Sequence, residues 1–154
     1  MAESAARTTA RKLLRRFVRD YPELNRLLRR QEHSPEDLDL ALDLTVAEYN
    51  AKNPPLAEVT IDTYPNLWLL LHGGAVHLIR SAGILQARNR LPYSSGGISV
   101  RMFDKTELYM QWAREFIGDY NHTLVDMKIA SNIQLGWGGC HSAYWPTGWW
   151  TTTE

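Results

Sequence analysis

Apolar residues recur three and four positions apart in four stretches of the chain, and that period predicts helices. In residues 5–30 the stripe is Leu13, Leu14, Phe17, Val18, Tyr21, Leu24, Leu27 and Leu28, with arginines on the remaining faces. Pro22 predicts a kink or restart near Asp20, because an interior proline removes a backbone hydrogen bond; Asp20 would then cap the second piece. Ser34, Pro35, Glu36 and Asp37 read as an N-cap, a first-turn proline and acids favoured by the helix dipole. Leu38, Ala41, Leu42, Thr45, Val46 and Tyr49 form the stripe that follows, and Pro54 ends it. A third helix over 65–89 contains Gly73, Gly74 and Gly83. Each glycine costs about 1 kcal/mol of helix propensity relative to Ala, so another element is expected to approach closely there. Asp104 and Glu107 resemble a capping box for a last helix over 104–131, with Leu108, Trp112, Phe116, Tyr120, Leu124 and Met127 as its stripe.

Alternation of period two is confined to Val59–Ile61 and to Ile98-Ser99-Val100, the latter behind turn residues at 94–97, and predicts two short strands able to pair. From Asn132 onward Gly136, Gly138, Gly139, Pro146 and Gly148 argue against regular helix, yet Trp137, Tyr144, Trp145, Trp149 and Trp150 crowd the same stretch. The pattern therefore predicts a mainly α fold. Residues 1–132 form a four-helix bundle with a short β-ribbon, and residues 133–154 form an extended aromatic C-terminal arm.

Charge adds a polarity that the formal net charge of zero conceals. Residues 1–30 carry nine Arg or Lys against three acids, whereas residues 31–62 carry Lys52 alone against eight acids. The two segments are expected either to attract one another or to join copies of the chain head to tail. At 154 residues the chain fits one domain with a core of its own. Its one cysteine, Cys140, fits a reducing compartment and forms no disulfide within the chain. No secretory signal is expected, since the first residues are polar. The most apolar window, 67–85, contains His72, His77 and Arg80 and reads as a buried helix rather than a membrane span.

Candidate chemistry is sparse. His33, His72, His77, His122 and His141 include no pair four residues apart, the spacing that puts two ligands on one helix face, so no metal site is expected. No nucleophile elbow is present, and Gly96-Gly97 and Gly138-Gly139 lie in no phosphate-binding motif. The expectation is a protein that is not an enzyme, with no catalytic residues and no cofactor. Arg11, Arg15, Arg16 and Arg19, with Arg7 and Lys12, define a basic face on the first helix. Phosphate contacts from that face would suit a small helical nucleic-acid-binding regulator, the alternative reading.

The arm is the least ordinary feature. Burying its five aromatics at about 200 Å² each stabilises by about 25 kcal/mol. Ordering residues 137–150 at about 1.5 kcal/mol each costs about 21 kcal/mol. Terms so nearly balanced suit a segment that becomes ordered on a groove, its own or a neighbour's.

The order of these features resembles the helical head-to-tail connectors of tailed bacteriophages, specifically the adaptor that docks beneath the portal ring. The likeness covers about residues 10–145. It lies in the helix opened by Ser34-Pro35-Glu36-Asp37-Leu38 and closed across 50–55, and in the long helix ending in Arg88-Asn89-Arg90-Leu91-Pro92-Tyr93. It continues through Ser94-Ser95-Gly96-Gly97-Ile98-Ser99-Val100 and a final aromatic helix running into Lys128, Asn132 and a glycine-rich tail. The resemblance implies a structural virion protein of the neck, assembled in the host cytoplasm and forming a homo-oligomeric ring, usually of twelve copies. One side of the ring would bind the portal protein and the other the next neck or tail protein. DNA would pass through the channel with only non-specific proximity, and no membrane is involved. Carried onto this chain, Trp137, Tyr144, Trp145, Trp149 and Trp150 become the portal-docking arm, and Tyr93, Ile98, Val100 and Arg101 become candidates for contact between subunits. The arginine-rich first helix with Pro22 has no counterpart in that layout, and the tryptophan-rich terminus also suits another neck component, such as a collar or tail terminator.

Overall fold

The computed structural model describes residues 4–25, 29–88, 93–95, 98–100 and 106–136. The chain is mainly helical, with four helices: α1 (Ala5–Phe17), α2 (Pro35–Ala51), α3 (Leu67–Arg88) and α4 (Thr106–Gly136).

Helix α2 begins where local chemistry places it. The Ser34 hydroxyl accepts from the Asp37 backbone N–H, the Asp37 carboxylate accepts from the Ser34 N–H, and Pro35 follows the cap. The Ser34 backbone N–H, and after it the Ser34 hydroxyl, hold the Asp37 carboxyl below its usual value. Leu38, Ala41, Leu42, Thr45 and Tyr49 are buried, and Val46 packs against them.

Helix α3 is the hub. It packs on α1, α2 and α4, whereas α1 and α4 have no extensive contact with each other. Its glycines explain how three helices share one partner. A Cβ on Gly73 would fall inside Thr45 Cγ2 of α2 and 2.8 Å from Tyr120 Cε2 of α4; one on Gly74 would lie 3.0 Å from Leu14 Cδ2 of α1. By length and composition α3 is apolar enough to cross a membrane, yet half of its most apolar window is buried within the protein. One buried cluster joins Ala10 and Leu14 of α1 to Leu38, Ala41 and Leu42 of α2 and to Leu70, Ala75 and Leu78 of α3. A second joins Tyr49, Leu69, Tyr120 and Leu124.

Five sequence expectations are corrected. Helix α1 stops at Phe17, before Pro22 is reached. Arg19 takes a left-handed φ of 56° and residues 22–24 form a turn, so the expected helix over 5–30 is cut short; residues 26–28 lie outside the described part. Asp20 does not cap a restarted helix, for reasons given below. Val59 and Ile61 do not form a strand: the Asn50 carboxamide accepts from the Val59 N–H and donates to its C=O, both at 3.0 Å, taking the groups that a neighbouring strand would need. A turn over 60–63 follows, closed by Thr63 N–H to the Thr60 carbonyl.

Finally, α4 runs unbroken across position 132 to Gly136, about 46 Å in all. A single glycine at the last position of a long helix does not end it earlier. The proposed cap Asp104 lies outside the described residues. The inward face of α4 also differs: Ala113, Tyr120, Leu124 and Lys128 are buried, while Leu108 and Trp112, expected in the core, are more than 40% exposed.

Candidate functional site

The two charge blocks meet along the α1–α2 seam. Arg7 and Arg11, one turn apart on α1, face Asp43 and Asp39, one turn apart on α2. Both pairs are forked: Arg7 Nη1 and Nη2 donate to Asp43 at 3.0 and 2.6 Å, and Arg11 Nε and Nη2 donate to Asp39 at 2.9 and 2.7 Å. Pairs at the surface or half-buried beneath it contribute about 0–1 kcal/mol each, so they set the register of the helices more than their stability.

Arg15 does something else. It donates at 2.9 Å to Asp20, whose side chain is almost fully buried, and its other nitrogen donates at 3.0 Å to the His33 carbonyl. Asp20 in turn accepts from the Glu32 and His33 backbone N–H groups at 2.6 and 3.0 Å. The pair therefore clamps the segment before α2 onto the end of α1. Of the four residues of the expected basic face, Arg11 and Arg15 hold carboxylates, and Arg16 and Arg19 are exposed.

The seam between α2 and α4 is bridged by polar side chains. Lys128, on α4, is fully buried, and its ammonium donates to the Tyr49 carbonyl at 2.7 Å and to the Lys52 carbonyl. It also lies 4.8 Å from the centroid of the Tyr49 ring. Tyr49 and Lys52 end α2, where unsatisfied carbonyls and the negative end of the dipole favour a cation. Burial pushes the Lys128 pKa down. Lys52 returns the contact, donating to Asn121 Oδ1 of α4 at 3.0 Å.

Two histidines sit inside. His72 bonds the Phe116 carbonyl through Nε2 at 3.0 Å, stacks on Phe116 with centroids 4.9 Å apart, and is edged by Trp68 and Phe17. His77 Nε2 stands 3.4 Å from Glu48 Oε2 without a hydrogen bond, and burial holds its pKa below the usual value, with Arg80 acting the same way and Glu48 opposing. The buried Tyr64 and Tyr120 hydroxyls have no partner among the described residues, and burial drives both phenol pKa values up. No group of three His, Cys, Asp or Glu among the described residues is arranged to hold a metal.

Where α1 stops short, a groove of about 520 Å³ opens between it and α4 over the bare flank of α3. Leu78, Ile79 and Ala82 line it from α3, Phe17 from α1, and Trp112 and Phe116 from α4, with Glu32 and Glu115 as carboxylates beside them. The sequence pattern does not reveal this surface, because the stripe through Phe17 and Trp112 predicts core.

Trp137, Tyr144, Trp145, Trp149 and Trp150 lie outside the described residues, as do Arg101, Cys140 and His141; Tyr93, Ile98 and Val100 are described in their backbone alone. Comparison with protein-family models, with curated proteins and with solved structures finds no match.

Proposed function

We propose that the chain is a structural virion protein of a tailed-bacteriophage neck, a four-helix bundle that forms a homo-oligomeric ring between the portal and the next neck or tail component. It acts as a connector and performs no catalysis. The observation that carries this reading is the junction at Gly136: the 31-residue α4 leads directly into a stretch that holds four of the six tryptophans of the chain and no Lys or Arg. Trp and Tyr give large contact area with few rotors to immobilise, which suits a docking arm. The short β-ribbon belongs to the same proposal. Backbone pairing of Tyr93–Ser95 with Ile98–Val100, Ser94 opposite Ser99, supports it, in place of the pairing expected with 59–61.

Removing residues 137–154 leaves all four helices intact on this reading and abolishes capture of the chain by portal rings. Pull-down on purified portal, with far-UV circular dichroism as the control, tests it; capture that survives the deletion removes the arm from the proposal. Imaging of native particles is the second arm of the test, with a symmetric ring of this chain at the neck as the expected result.

The alternative reading, a nucleic-acid-binding regulator, loses ground because Asp39 and Asp20 already occupy Arg11 and Arg15. Its measurement is salt-dependent binding to duplex DNA, weakened on neutralising Arg16 and Arg19.

A further inference from the structure

Helix α1 carries five cations, Arg7, Arg11, Lys12, Arg15 and Arg16, and no acid. Folding sorts them into two stripes. Arg7, Arg11 and Arg15, each one turn from the next, face α2 and its approach and hold Asp43, Asp39 and Asp20. Lys12 and Arg16 stand on another face. Each lies two residues beyond a buried apolar residue, Ala10 and Leu14, and two residues turn a helix by about 200°, so this second stripe points away from the core. Both are exposed, and neither has a carboxylate partner among the described residues. Arg19 follows the end of the helix, and Arg29 and Arg30 share a hollow with Pro22; these three are exposed and equally without a carboxylate. Against these five cations the described part of the same stretch exposes two acids, Glu23 and Glu32.

We propose that this outer stripe binds the phosphodiester backbone of duplex DNA without reading its bases. Three observations select that partner. Charge is the first: each phosphate met by a lysine or arginine releases counterions, and that term by itself sustains non-specific binding. Composition is the second. Ala5, Thr9, Lys12 and Arg16 share the outward face, all exposed, and offer no aromatic or large aliphatic side chain for the dry core that a protein interface needs, whereas interfaces with DNA are polar and strongly positive. Third, the acids that α2 of a second copy would offer are already spent, since Asp39 and Asp43 are each held by an arginine of their own chain. The contact requires neither the neck reading nor a regulator that recognises a sequence.

Fluorescence anisotropy of the full chain with short duplexes of two unrelated sequences tests it. With five phosphate contacts, affinity should fall about 500-fold between about 50 and about 200 mM salt, equally for both sequences. Lys12→Gln with Arg16→Gln removes two contacts and should shrink that fall to about 40-fold. Arg88→Gln with Arg114→Gln removes the same charge from exposed positions on α3 and α4 and should leave the fall near that of wild type. Lys12→Arg with Arg16→Lys, which keeps both charges, should also match wild type. Every substituted position is exposed, and far-UV circular dichroism checks the helices. No binding at about 50 mM salt overturns the inference, as does an equal loss in the two neutralised variants. Binding to polyglutamate as tight as to DNA overturns it in favour of an acidic protein partner. A preference of about tenfold or more for one duplex overturns it in favour of a sequence-reading regulator.

Discussion

Gly73→Ala is the sharpest test of the packing at the hub. Replacing a helical glycine by alanine ordinarily stabilises by about 1 kcal/mol. At Gly73 the new methyl would overlap Thr45 Cγ2 and lie 2.8 Å from Tyr120 Cε2 and 3.0 Å from Thr45 Oγ1. Thr45 and Tyr120 are both fully exposed to no solvent, and the Thr45 hydroxyl is tied to the Ala41 carbonyl at 2.8 Å, so neither yields easily. Overpacking of this kind costs about 1–3 kcal/mol, which cancels or outweighs the gain in propensity and leaves a net loss of up to about 2 kcal/mol. Gly118, on the exposed face of α4, supplies the control, because a methyl there meets nothing within 4 Å. Gly118→Ala should therefore raise stability by about 1 kcal/mol. The two variants should differ by about 1–3 kcal/mol, or about 2–12 °C in Tm for a chain of this length. Urea denaturation followed by far-UV circular dichroism reads the difference. Thr45→Ser, which deletes the overlapped methyl, should recover part of the loss in the Gly73→Ala background. Equal stability of Gly73→Ala and Gly118→Ala would refute the argument that α2 and α4 converge on Gly73.

Other parts of the interior give further outcomes. Lys128→Met should cost about 1–3 kcal/mol by leaving the carbonyls that end α2 without their donor, and should speed amide hydrogen exchange in the last turn of that helix; unchanged exchange there would sink the staple. Arg15→Ala should destabilise by about 3–5 kcal/mol, since it strands a buried carboxylate. Arg16→Ala, one residue along and exposed, should stay within about 0.5 kcal/mol, and similar midpoints for the two would contradict the division drawn between them. Tyr120→Phe should be neutral or stabilising, because its hydroxyl is buried without a partner. His77 has a folded pKa below its usual 6.5, so its contribution is complete above about that pH and is lost as pH falls through the folded value. Stability should begin to drop as pH falls below about 6.5, and His77→Gln should flatten that slope; a slope identical in the two proteins would assign it elsewhere.

Much of this architecture was legible because it is decided locally. Ser34, Pro35 and Asp37 start α2 with contacts no more than three residues apart, and the stripe from Leu38 to Tyr49 then buries as its spacing requires. The three glycines also announced a close approach, though not which helices make it. Contacts across long sequence separations were not legible. Pro22 signals a break near Asp20, but nothing in the local pattern puts the end of α1 at Phe17: the stop is tied to Asp20, which bonds backbone groups 12 and 13 residues away. Val59 and Ile61 alternate like a strand, yet Asn50 occupies the Val59 backbone first. On α4 the stripe was drawn through large apolar residues, whereas the buried positions include a small one, Ala113, and a charged one, Lys128. A signal for the lysine was present, since Tyr120, Leu124 and Lys128 are spaced by four. Hydrophobicity alone passes over it.

The position of the groove follows from the same causes. Had α1 run to residue 30 as its stripe suggests, it would have continued along α3 past Leu78 and Ala82 toward Trp112. Asp20 prevents this. With Arg15 it turns the chain back and anchors the approach to α2, and the flank of α3 that α1 gives up stays open against α4. The clamp and the groove are therefore linked: a substitution that releases Asp20, such as Asp20→Ala, should loosen Glu32 and His33 at the rim of the groove as well as lower stability. Amide hydrogen exchange at Glu32 and His33 should speed in that variant even at temperatures where the helices remain folded, because both N–H groups lose their acceptor; unchanged exchange there would break the link between the clamp and the rim of the groove.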